Sequence, residues 1–250
     1  MDTKSNICPV ILGRTGSGKT NLIKILAKSL QLELIACDKF YSYSYFETSV
    51  CRPKNDYHGM NVHLVGFRHP LEPLMDRIHF SDLVCDVVRK VNENGVLPIA
   101  EGCSFGYISA LIQNMHKNSD VNFTPLIGIT LPPALDFNSF YKNKVEELIN
   151  NGAIQEVEYA VNNNWINSYV LNKSMLANTL LRYIQKEISL ENAIEIATNK
   201  FIRIAEEEEA KFKTIPGVMW FEHVPGNSDE TASQIHDCLV NMYDYIPKKQ

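Results

Sequence analysis

The most constraining feature of the sequence is the octapeptide GRTGSGKT at positions 13–20, which fits the phosphate-loop pattern GxxxxGK[ST]. An apolar run at 7–12 precedes it and an amphipathic stretch at 19–30 follows it, as expected for a loop that joins a strand to a helix. In such a loop, successive backbone amides and the N-terminus of the helix face a bound anion. The sequence therefore predicts a bound phosphate group, although the loop alone does not identify a reaction.

The positions of this loop have different predicted tasks. Gly13 and Gly18 permit the tight turn and the close approach of the backbone to the ligand. We expect Lys19 to bridge terminal phosphate oxygens and Thr20 to offer its hydroxyl to a Mg²⁺ ion. The other predicted substrate contacts in the loop are Arg14, Gly16 and Ser17.

Short apolar runs alternate with amphipathic stretches through the first half of the chain. The predicted strands lie at 7–12, 32–37, 96–100, 126–131 and 218–221. The predicted helices among them lie at 19–30, 74–91 and 105–116. This alternation is typical of a sheet with crossover helices. The sequence therefore predicts an α/β fold, with a P-loop NTPase-like, mostly parallel sheet flanked by helices.

After the fourth predicted strand, the pattern changes to helices without strands. These predicted helices lie at 137–151, 154–163, 171–186 and 190–212. A block of about 80 residues is much longer than an ordinary connection, and a further strand follows it. We therefore expect a helical insertion lobe at 134–215, inserted into a P-loop α/β core domain formed by 1–133 and 216–250.

Composition and charge argue against several classes of function. The formal net charge is −5, which gives no general attraction to nucleic acid, so a nucleic-acid partner would need a local basic patch. No apolar run approaches the ~20 residues that cross a bilayer. The six cysteines are dispersed without a CxxC pair, which argues against a zinc ribbon or a disulfide framework. We expect a cytoplasmic protein without a membrane partner.

Asp38 closes the second predicted strand, and so it lies at the carboxyl edge of the sheet, where open α/β folds bind ligands. A carboxylate there can act as a general base, hold Mg²⁺ through water, or cap the following helix. Its position alone does not decide among these roles. The aromatic segment at 40–46 that follows either packs as a surface loop or edge strand or contacts substrate.

Further motifs occur in an order that resembles the isopentenyltransferase family, which comprises tRNA dimethylallyltransferases and the adenylate isopentenyltransferases that make cytokinins. After the phosphate loop come DKFY at 38–41, TSVCRP at 48–53, VHLV at 62–65 and EGCSFGY at 101–107. The stretch at 144–157 is similar to the family's RVxxM…GLxxEV. ISLENAI at 188–194 is similar to its ISLEEAI. Together these motifs span most of the chain from residue 13 to residue 212.

The resemblance implies that dimethylallyl diphosphate sits on the phosphate loop and that an adenine approaches from the other side. Asp38 would then take a proton from the exocyclic amine, a poor nucleophile because its lone pair is delocalised. Thr15 would lie where carbon 1 of the donor meets this amine. Lys19, the loop amides and Mg²⁺ would receive the charge on the leaving diphosphate. The other implied substrate contacts are Arg52, Ser104 on the phosphate side, and Lys142 and Lys144, which otherwise are solvent-facing helix lysines.

Three positions depart from the family pattern. Lys144 stands where relatives have Arg, which replaces a bidentate fork by a point charge. Val50 stands where relatives have Ser or Thr, and Cys103 replaces the second Gly of a Gly-Gly turn. We expect these differences to affect the rate and the substrate detail more than the class of reaction.

The choice of acceptor is predicted from the last long helix, which carries four consecutive glutamates at 206–209. These would repel a nucleic-acid backbone, and we expect them to form a solvated helix face. The segment at 48–71 also resembles the microbial adenylate enzymes, and no Cys/His zinc pattern follows. We therefore expect a free adenine nucleotide, AMP first, with ADP and ATP open.

Three alternatives to this function remain. One is a tRNA dimethylallyltransferase. Another is a P-loop nucleotide kinase, against which we count the small number of arginines in the helical block, namely Arg182 and Arg203. The third is a non-catalytic nucleotide-binding protein, which the presence of Thr15, Lys19 and Asp38 argues against.

Overall fold

The structure is a computed structural model that describes residues 6–53, 56–57, 59–114 and 120–242. Its strands are β1 Asn6–Ile7, β2 Val10–Gly13, β3 Leu32–Ala36, β4 Asp56–Tyr57, β5 Met60–His63, β6 Leu97–Gly102, β7 Val121–Asn122, β8 Leu126–Thr130 and β9 Val218–Glu222. Its helices are α1 Lys19–Leu26, α2 Arg77–Glu93, α3 Phe105–Asn114, α4 Phe137–Leu148, α5 Ile154–Asn162, α6 Tyr169–Lys173, α7 Met175–Ile184, α8 Leu190–Phe212 and α9 Ser228–Met242. A 3₁₀ turn spans Thr48–Val50, and a π-helical turn at Ile149–Ala153 joins α4 to α5.

One sheet joins seven of these strands in the order β4-β5-β3-β6-β2-β8-β9. Every neighbouring pair is parallel except β4 and β5, which form an antiparallel pair at one edge. β1 and β7 pair separately, in parallel. The predicted α/β fold with a mostly parallel sheet flanked by helices is therefore confirmed. The edge strands β4 and β5 and the helix α9 were not predicted.

The carboxyl edge of this sheet gathers the segments that carry the predicted site. β2 and β6 lie in register, with Leu12 beside Gly102, and β3 pairs with β6 so that Ala36 lies beside Glu101. The three strands therefore end at nearly the same level. The phosphate loop, Asp38 and the residues after Gly102 leave the sheet at this common edge, where open α/β folds bind ligands.

Helices cover both faces of the sheet. α1 and α9 pack on one face, where Leu22 and Ile235 join Ile127 of β8 in one apolar cluster. α2 and α3 pack on the other face, around buried side chains such as Val84. α2 begins after Asp76, whose carboxylate accepts hydrogen bonds from two amides of the first turn as an N-cap. The last two residues of the helix predicted at 105–116 lie outside the described residues.

Helices α4 to α8 pack around an apolar cluster of their own. Tyr141, Leu180 and Phe201 belong to this cluster, and Tyr43 and Phe46 from the segment after β3 insert into it. Because residues from outside 134–215 complete its core, the division into a core domain at 1–133 and 216–250 and a lobe at 134–215 stays a prediction. Of the helices described, none combines the length and apolar character needed to cross a membrane.

Candidate active site

The phosphate loop joins β2 to α1 and depends sterically on two glycines. Gly13 has φ 146° and Gly18 has φ 86°, a region of backbone conformation that favours glycine. A Cβ atom at Gly13 would overlap the carbonyl oxygen of Ile129, and one at Gly18 would overlap the imidazole ring of His223. The loop therefore has this shape because the neighbouring strand and the His223 ring pack directly against it.

His223, which directly follows β9, stabilises the loop by a hydrogen bond. Its Nδ1 lies 2.8 Å from the carbonyl oxygen of Ser17, and its Nε2 lies 3.0 Å from the hydroxyl oxygen of Ser228. Because a carbonyl only accepts, the ring donates from Nδ1. Sequence analysis gave this buried histidine no role, since no motif surrounds it.

Lys19 is held inside the loop that it follows. It is buried, and its Nζ donates to the carbonyl oxygens of Gly13 at 3.1 Å and Arg14 at 2.9 Å. The same Nζ lies 3.9 Å from Oε1 of Glu101. The ammonium group is therefore positioned by backbone oxygens at the edge of the sheet, where it can meet an anion.

Glu101, near the end of β6, places a carboxylate beside Lys19 and Thr20. Its Oε2 accepts a hydrogen bond from the Thr20 hydroxyl at 3.4 Å. Burial raises the pKa of Glu101, the nearby Lys19 charge opposes this, and Asp38 adds to it. Glu101 begins the motif at 101–107, but its role was not predicted.

The Thr20 hydroxyl and the Glu101 carboxylate are hard oxygen donors, which suit Mg²⁺. Among the described residues, there is no group of three or more His, Cys, Asp and Glu side chains that could hold a metal ion. A Mg²⁺ ion here would therefore take its remaining ligands from substrate phosphates and water, which is the usual coordination of this ion in phosphate sites.

Asp38 follows β3 and is buried. Its Oδ1 accepts from the amide of Phe40 at 2.8 Å, and its Oδ2 accepts from the Cys103 thiol at 3.1 Å and the Ser104 hydroxyl at 3.2 Å. The Ser104 hydroxyl in turn accepts from the amide of Lys39 at 3.2 Å. Asp38 therefore stabilises the turn after β3 while it faces a cavity. The Ser104 hydroxyl orients Asp38, and its contact on the phosphate side stays a prediction.

Two cavities open at this edge of the sheet. The first, here called the loop cavity, has a volume of about 650 Å³ and is lined by the phosphate loop together with Glu101, Arg52 and Lys144. The second, here called the aspartate cavity, has about 670 Å³ and is lined by Asp38, Ser104 and residues of α6 to α8. The residues that line both cavities are Thr15, Tyr41, Cys51 and Cys103. The two cavities therefore adjoin, with Thr15 at their junction.

The helical block forms hydrogen bonds with both the backbone amide and the backbone carbonyl of Thr15. The Tyr141 hydroxyl donates to the Thr15 carbonyl oxygen at 2.8 Å. The Thr15 amide donates to Oε2 of Glu208 at 2.7 Å. The expectation that 206–209 form a solvated helix face is therefore wrong for Glu208, and also for Glu209, whose carboxylate pairs with Arg14.

Glu208 has an environment that changes its ionisation. Burial raises its pKa to about 7, although the Thr15 amide and Lys19 favour the charged form. The nearby Asp38 charge adds to the increase, while Lys39 opposes it. A carboxyl group with a pKa near neutrality, inside a cavity beside a second carboxylate, is typical of functional sites.

Arg14 and Lys142 do not line either cavity. The Arg14 guanidinium lies 4.4 Å from the centre of the Phe137 ring and 3.2 Å from a Glu209 oxygen, so its side chain holds the helical block on the loop. Lys142 lines a separate groove with Asn138 and other residues of α4 and α8. Their roles as substrate contacts stay predictions.

Lys144 and Arg52 do line the loop cavity. The Arg52 guanidinium is buried, donates to the Tyr43 carbonyl at 2.6 Å and pairs with Glu47. Arg52 therefore supports the wall of the cavity as well as lending it positive charge. Lys144 is partly buried and brings a cation from α4 to the same cavity.

The 3₁₀ turn Thr48–Val50 forms the wall next to Arg52. One carboxylate from the helical block, Glu156, holds this turn by accepting from the amides of Thr48 at 2.6 Å and Ser49 at 2.9 Å, and from the Ser49 hydroxyl at 2.8 Å. Glu156 belongs to the motif at 144–157, but its role was not predicted. The structure shows that it couples α5 to both cavities, because the turn and Cys51 line them.

A phosphate loop at the carboxyl edge of a mostly parallel sheet defines a P-loop protein, and here a second cavity adjoins the loop. The family model described as isopentenyl transferase matches residues 7–158, which is more than half of the chain. The chain therefore belongs to the isopentenyl transferase family, as the resemblance in its motifs implied.

Relatives of two kinds are similar to the chain. Adenylate isopentenyltransferase 7, mitochondrial, of Arabidopsis thaliana is 28% identical over 189 residues, which are 73% of this chain and 56% of that protein. The tRNA dimethylallyltransferase of Acetivibrio thermocellus is 22% identical over 293 residues, covering 88% of this chain and 93% of that protein. The chain thus spans just over half the length of the Arabidopsis relative.

Solved structures with the same fold come from tRNA-modifying enzymes. The tRNA isopentenylpyrophosphate transferase of Bacillus halodurans has a TM-score of 0.81 at 19% identity, covering 95% of this chain and 96% of that one. A eukaryotic dimethylallyltransferase acting on tRNA has a TM-score of 0.74 at 15% identity, covering 98% and 81%. At these identities the likeness establishes the fold.

Proposed function

We propose that the protein transfers a dimethylallyl group from dimethylallyl diphosphate to the exocyclic amine of a free adenine nucleotide, with AMP the first choice. Diphosphate is released, and the reaction is the first step of cytokinin biosynthesis. The observation that carries this proposal is the junction of two cavities at Thr15, one on the phosphate loop and one around Asp38. Joining two substrates requires adjoining sites that hold the reacting atoms in contact.

The donor diphosphate binds in the loop cavity. The amides at the start of α1 and the Lys19 ammonium group face this cavity, with Lys144 and Arg52 adding positive charge from its walls. Thr20 and Glu101 would hold Mg²⁺, which neutralises charge on the diphosphate when it is bound. Lys19 and the loop amides stabilise the negative charge that grows on the leaving oxygen.

The adenine binds in the aspartate cavity, with its amine toward Thr15 and Asp38. Donors fix the Asp38 carboxylate on both of its oxygens, so that it keeps one orientation toward the incoming amine. When the amine nitrogen bonds to carbon 1 of the donor, Asp38 accepts its proton, which raises the nucleophilicity of the nitrogen. Thr15, at the junction, contacts both reacting groups.

The proposed free-nucleotide acceptor is supported by charge around the aspartate cavity. Cationic side chains line this cavity, and they suit the phosphate of a nucleotide; they are Lys39, Arg77, Lys173 and Lys211. The chain as a whole is acidic, and Glu206 and Glu207 are exposed on α8. Among the described residues, the cations of this cavity offer charge to one phosphate group.

A second candidate function is dimethylallyl transfer to tRNA. The relative from Acetivibrio thermocellus, which is named a tRNA dimethylallyltransferase, aligns with 88% of this chain. The same cationic side chains around the aspartate cavity would then contact the phosphates next to one adenine of the tRNA.

One set of incubations separates these functions. The purified chain is mixed with dimethylallyl diphosphate and Mg²⁺, and in separate reactions with AMP, ADP, ATP or unmodified tRNA, and the products are identified by mass spectrometry. We expect prenylated AMP with an equal amount of diphosphate. Modification of tRNA alone would support the second candidate, and no product with any acceptor would contradict both transferase functions.

A further inference from the structure

Glu208 is a carboxylate at the junction of the two cavities that the mechanism above does not use. It lies on the inward stripe of α8, seven residues after Phe201 and four before Phe212 in the sequence, both of which are buried. Its Oε2 accepts the Thr15 amide at 2.7 Å. None of the described residues donates to its Oε1. One carboxylate oxygen of Glu208 therefore accepts a hydrogen bond from the loop, and the other is available to a further partner.

The charged and titratable groups around Glu208 come from every element that packs near it, including Tyr141 on α4, which is affected by the Glu208 charge. The phosphate loop and α1 contribute the Thr15 amide and Lys19, and the turn after β3 contributes Asp38 and Lys39. The Cys103 thiol, after β6, donates to Asp38 at 3.1 Å and lies close enough to Glu208 to be affected by its charge. On α8 itself, Glu207 and Lys211 line the same aspartate cavity.

Both oxygens of Asp38 already accept from protein donors, namely the Phe40 amide, the Cys103 thiol and the Ser104 hydroxyl. A proton taken from the acceptor amine therefore needs a further destination for the carboxylate to be restored. Glu208 is the other carboxylate that lines the same cavity and also contacts Thr15.

We propose, on the basis of the function proposed above, that Glu208 is the second proton acceptor of the reaction and receives from Asp38 the proton of the amine. The nitrogen forms its bond to carbon 1 of the donor, and the electron pair of the broken carbon–oxygen bond leaves with the diphosphate. The nitrogen keeps the electron pair of the N–H bond, and its proton passes to Asp38 and then to Glu208. The Asp38 carboxylate is thereby regenerated, and Glu208 later releases the proton to water.

The direction of the pH dependence follows from this role. Glu208 must be ionised to accept a proton, and its pKa is raised to about 7, chiefly by burial. The rate of transfer should therefore be low below neutral pH, rise with pH through about 7, and then level off. An ideal proton acceptor has a pKa near the working pH, because it is then both available and basic enough.

The test compares Glu208→Gln with the wild type in multiple-turnover transfer to AMP, which requires Asp38 to be regenerated, over about two pH units on either side of neutrality. The glutamine keeps an oxygen for the Thr15 amide but cannot accept the proton. We expect transfer by Glu208→Gln to be at least about tenfold slower at high pH, and the rise through neutral pH to disappear. Glu208→Asp, which keeps a titratable group, should retain a rise.

Glu206→Gln is the matched control, because Glu206 is exposed on the same helix and lines neither cavity. It should have the rate and pH profile of the wild type. Any pH dependence that comes from the phosphate of AMP should be the same in both proteins. An unchanged pH profile in Glu208→Gln would overturn the proton-accepting role, and an equal loss of rate at all pH values would assign Glu208 to positioning Thr15. Absence of transfer by the wild type would contradict the proposed function and this inference together.

Discussion

Replacing Asp38 by asparagine separates its chemical role from its structural role. The asparagine oxygen can still accept the Phe40 amide, which now lies 2.8 Å from Oδ1. The Ser104 hydroxyl can turn to accept from the new amide group, since a hydroxyl both donates and accepts. Only the Cys103 thiol loses its acceptor. Loss of one such hydrogen bond should lower the free energy of unfolding by about 1 kcal/mol.

The effect of Asp38→Asn on the rate should be much larger. A general base contributes roughly a hundredfold to ten-thousandfold, equivalent to about 3–5 kcal/mol in the barrier. The assay is single-turnover transfer from pre-bound dimethylallyl diphosphate to AMP, with calorimetric titration of the donor and a melting curve. Asp86→Asn is the matched control, because Asp86 is exposed on α2. Near-normal transfer by Asp38→Asn would refute the base, and weakened donor binding would assign Asp38 to the metal.

Three other substitutions test the donor site and the walls of the cavities. Lys19→Ala should slow transfer by on the order of a hundredfold or more and weaken donor binding in calorimetry; unchanged turnover would show that the donor binds elsewhere. Gly18→Ala should lower the melting temperature, because a left-handed conformation costs ~1–2 kcal/mol in a non-glycine residue and the Cβ would overlap His223; an unchanged melting curve would contradict this packing. Glu156→Gln should lower the free energy of unfolding by about 1–3 kcal/mol and raise the KM for AMP. Glu158 is exposed on the same helix, and Glu158→Gln should have neither effect. Equal melting curves and KM values for the two variants would contradict the role of Glu156.

The parts of the fold that sequence predicts well are those in which each position has a mechanical task. The phosphate loop needs its glycines for backbone shape, and the strand before it and the helix after it follow from apolar periodicity. Asp38 could be placed at the site because parallel strands end at a common edge. The strand β5, Met60–His63, was missed because it has only four residues, too few for a clear alternation.

The contacts of the helical block were harder to predict, since they depend on which face of each helix meets the loop. A run of four glutamates suggests a solvated surface, but a helix turns by about 100° per residue, so such a run cannot lie on one face. Glu208 shares its stripe with Phe201, Ala205 and Phe212, all of which are buried. That spacing was a signal for an inward carboxylate, and helical periodicity across 201–212 would have found it.

The directions of the Arg14 and Lys142 side chains could not be predicted from the sequence. Arg14 turns to the Phe137 ring and to Glu209, residues far away in sequence, and only the packed helices determine this. Lys142 and Lys144 are two residues apart on α4 and so point in different directions. Lys144 reaches the loop cavity, whereas Lys142 does not.

A crystal structure of the protein with AMP, Mg²⁺ and a non-reactive thiolodiphosphate analogue of the donor tests the central claim most directly. The account predicts the analogue's diphosphate on the phosphate loop, carbon 1 beside Thr15, and the adenine amine within hydrogen-bond reach of Asp38, at about 2.6–3.2 Å. Finding the phosphate of AMP on the loop, with the adenine away from Asp38, would contradict it.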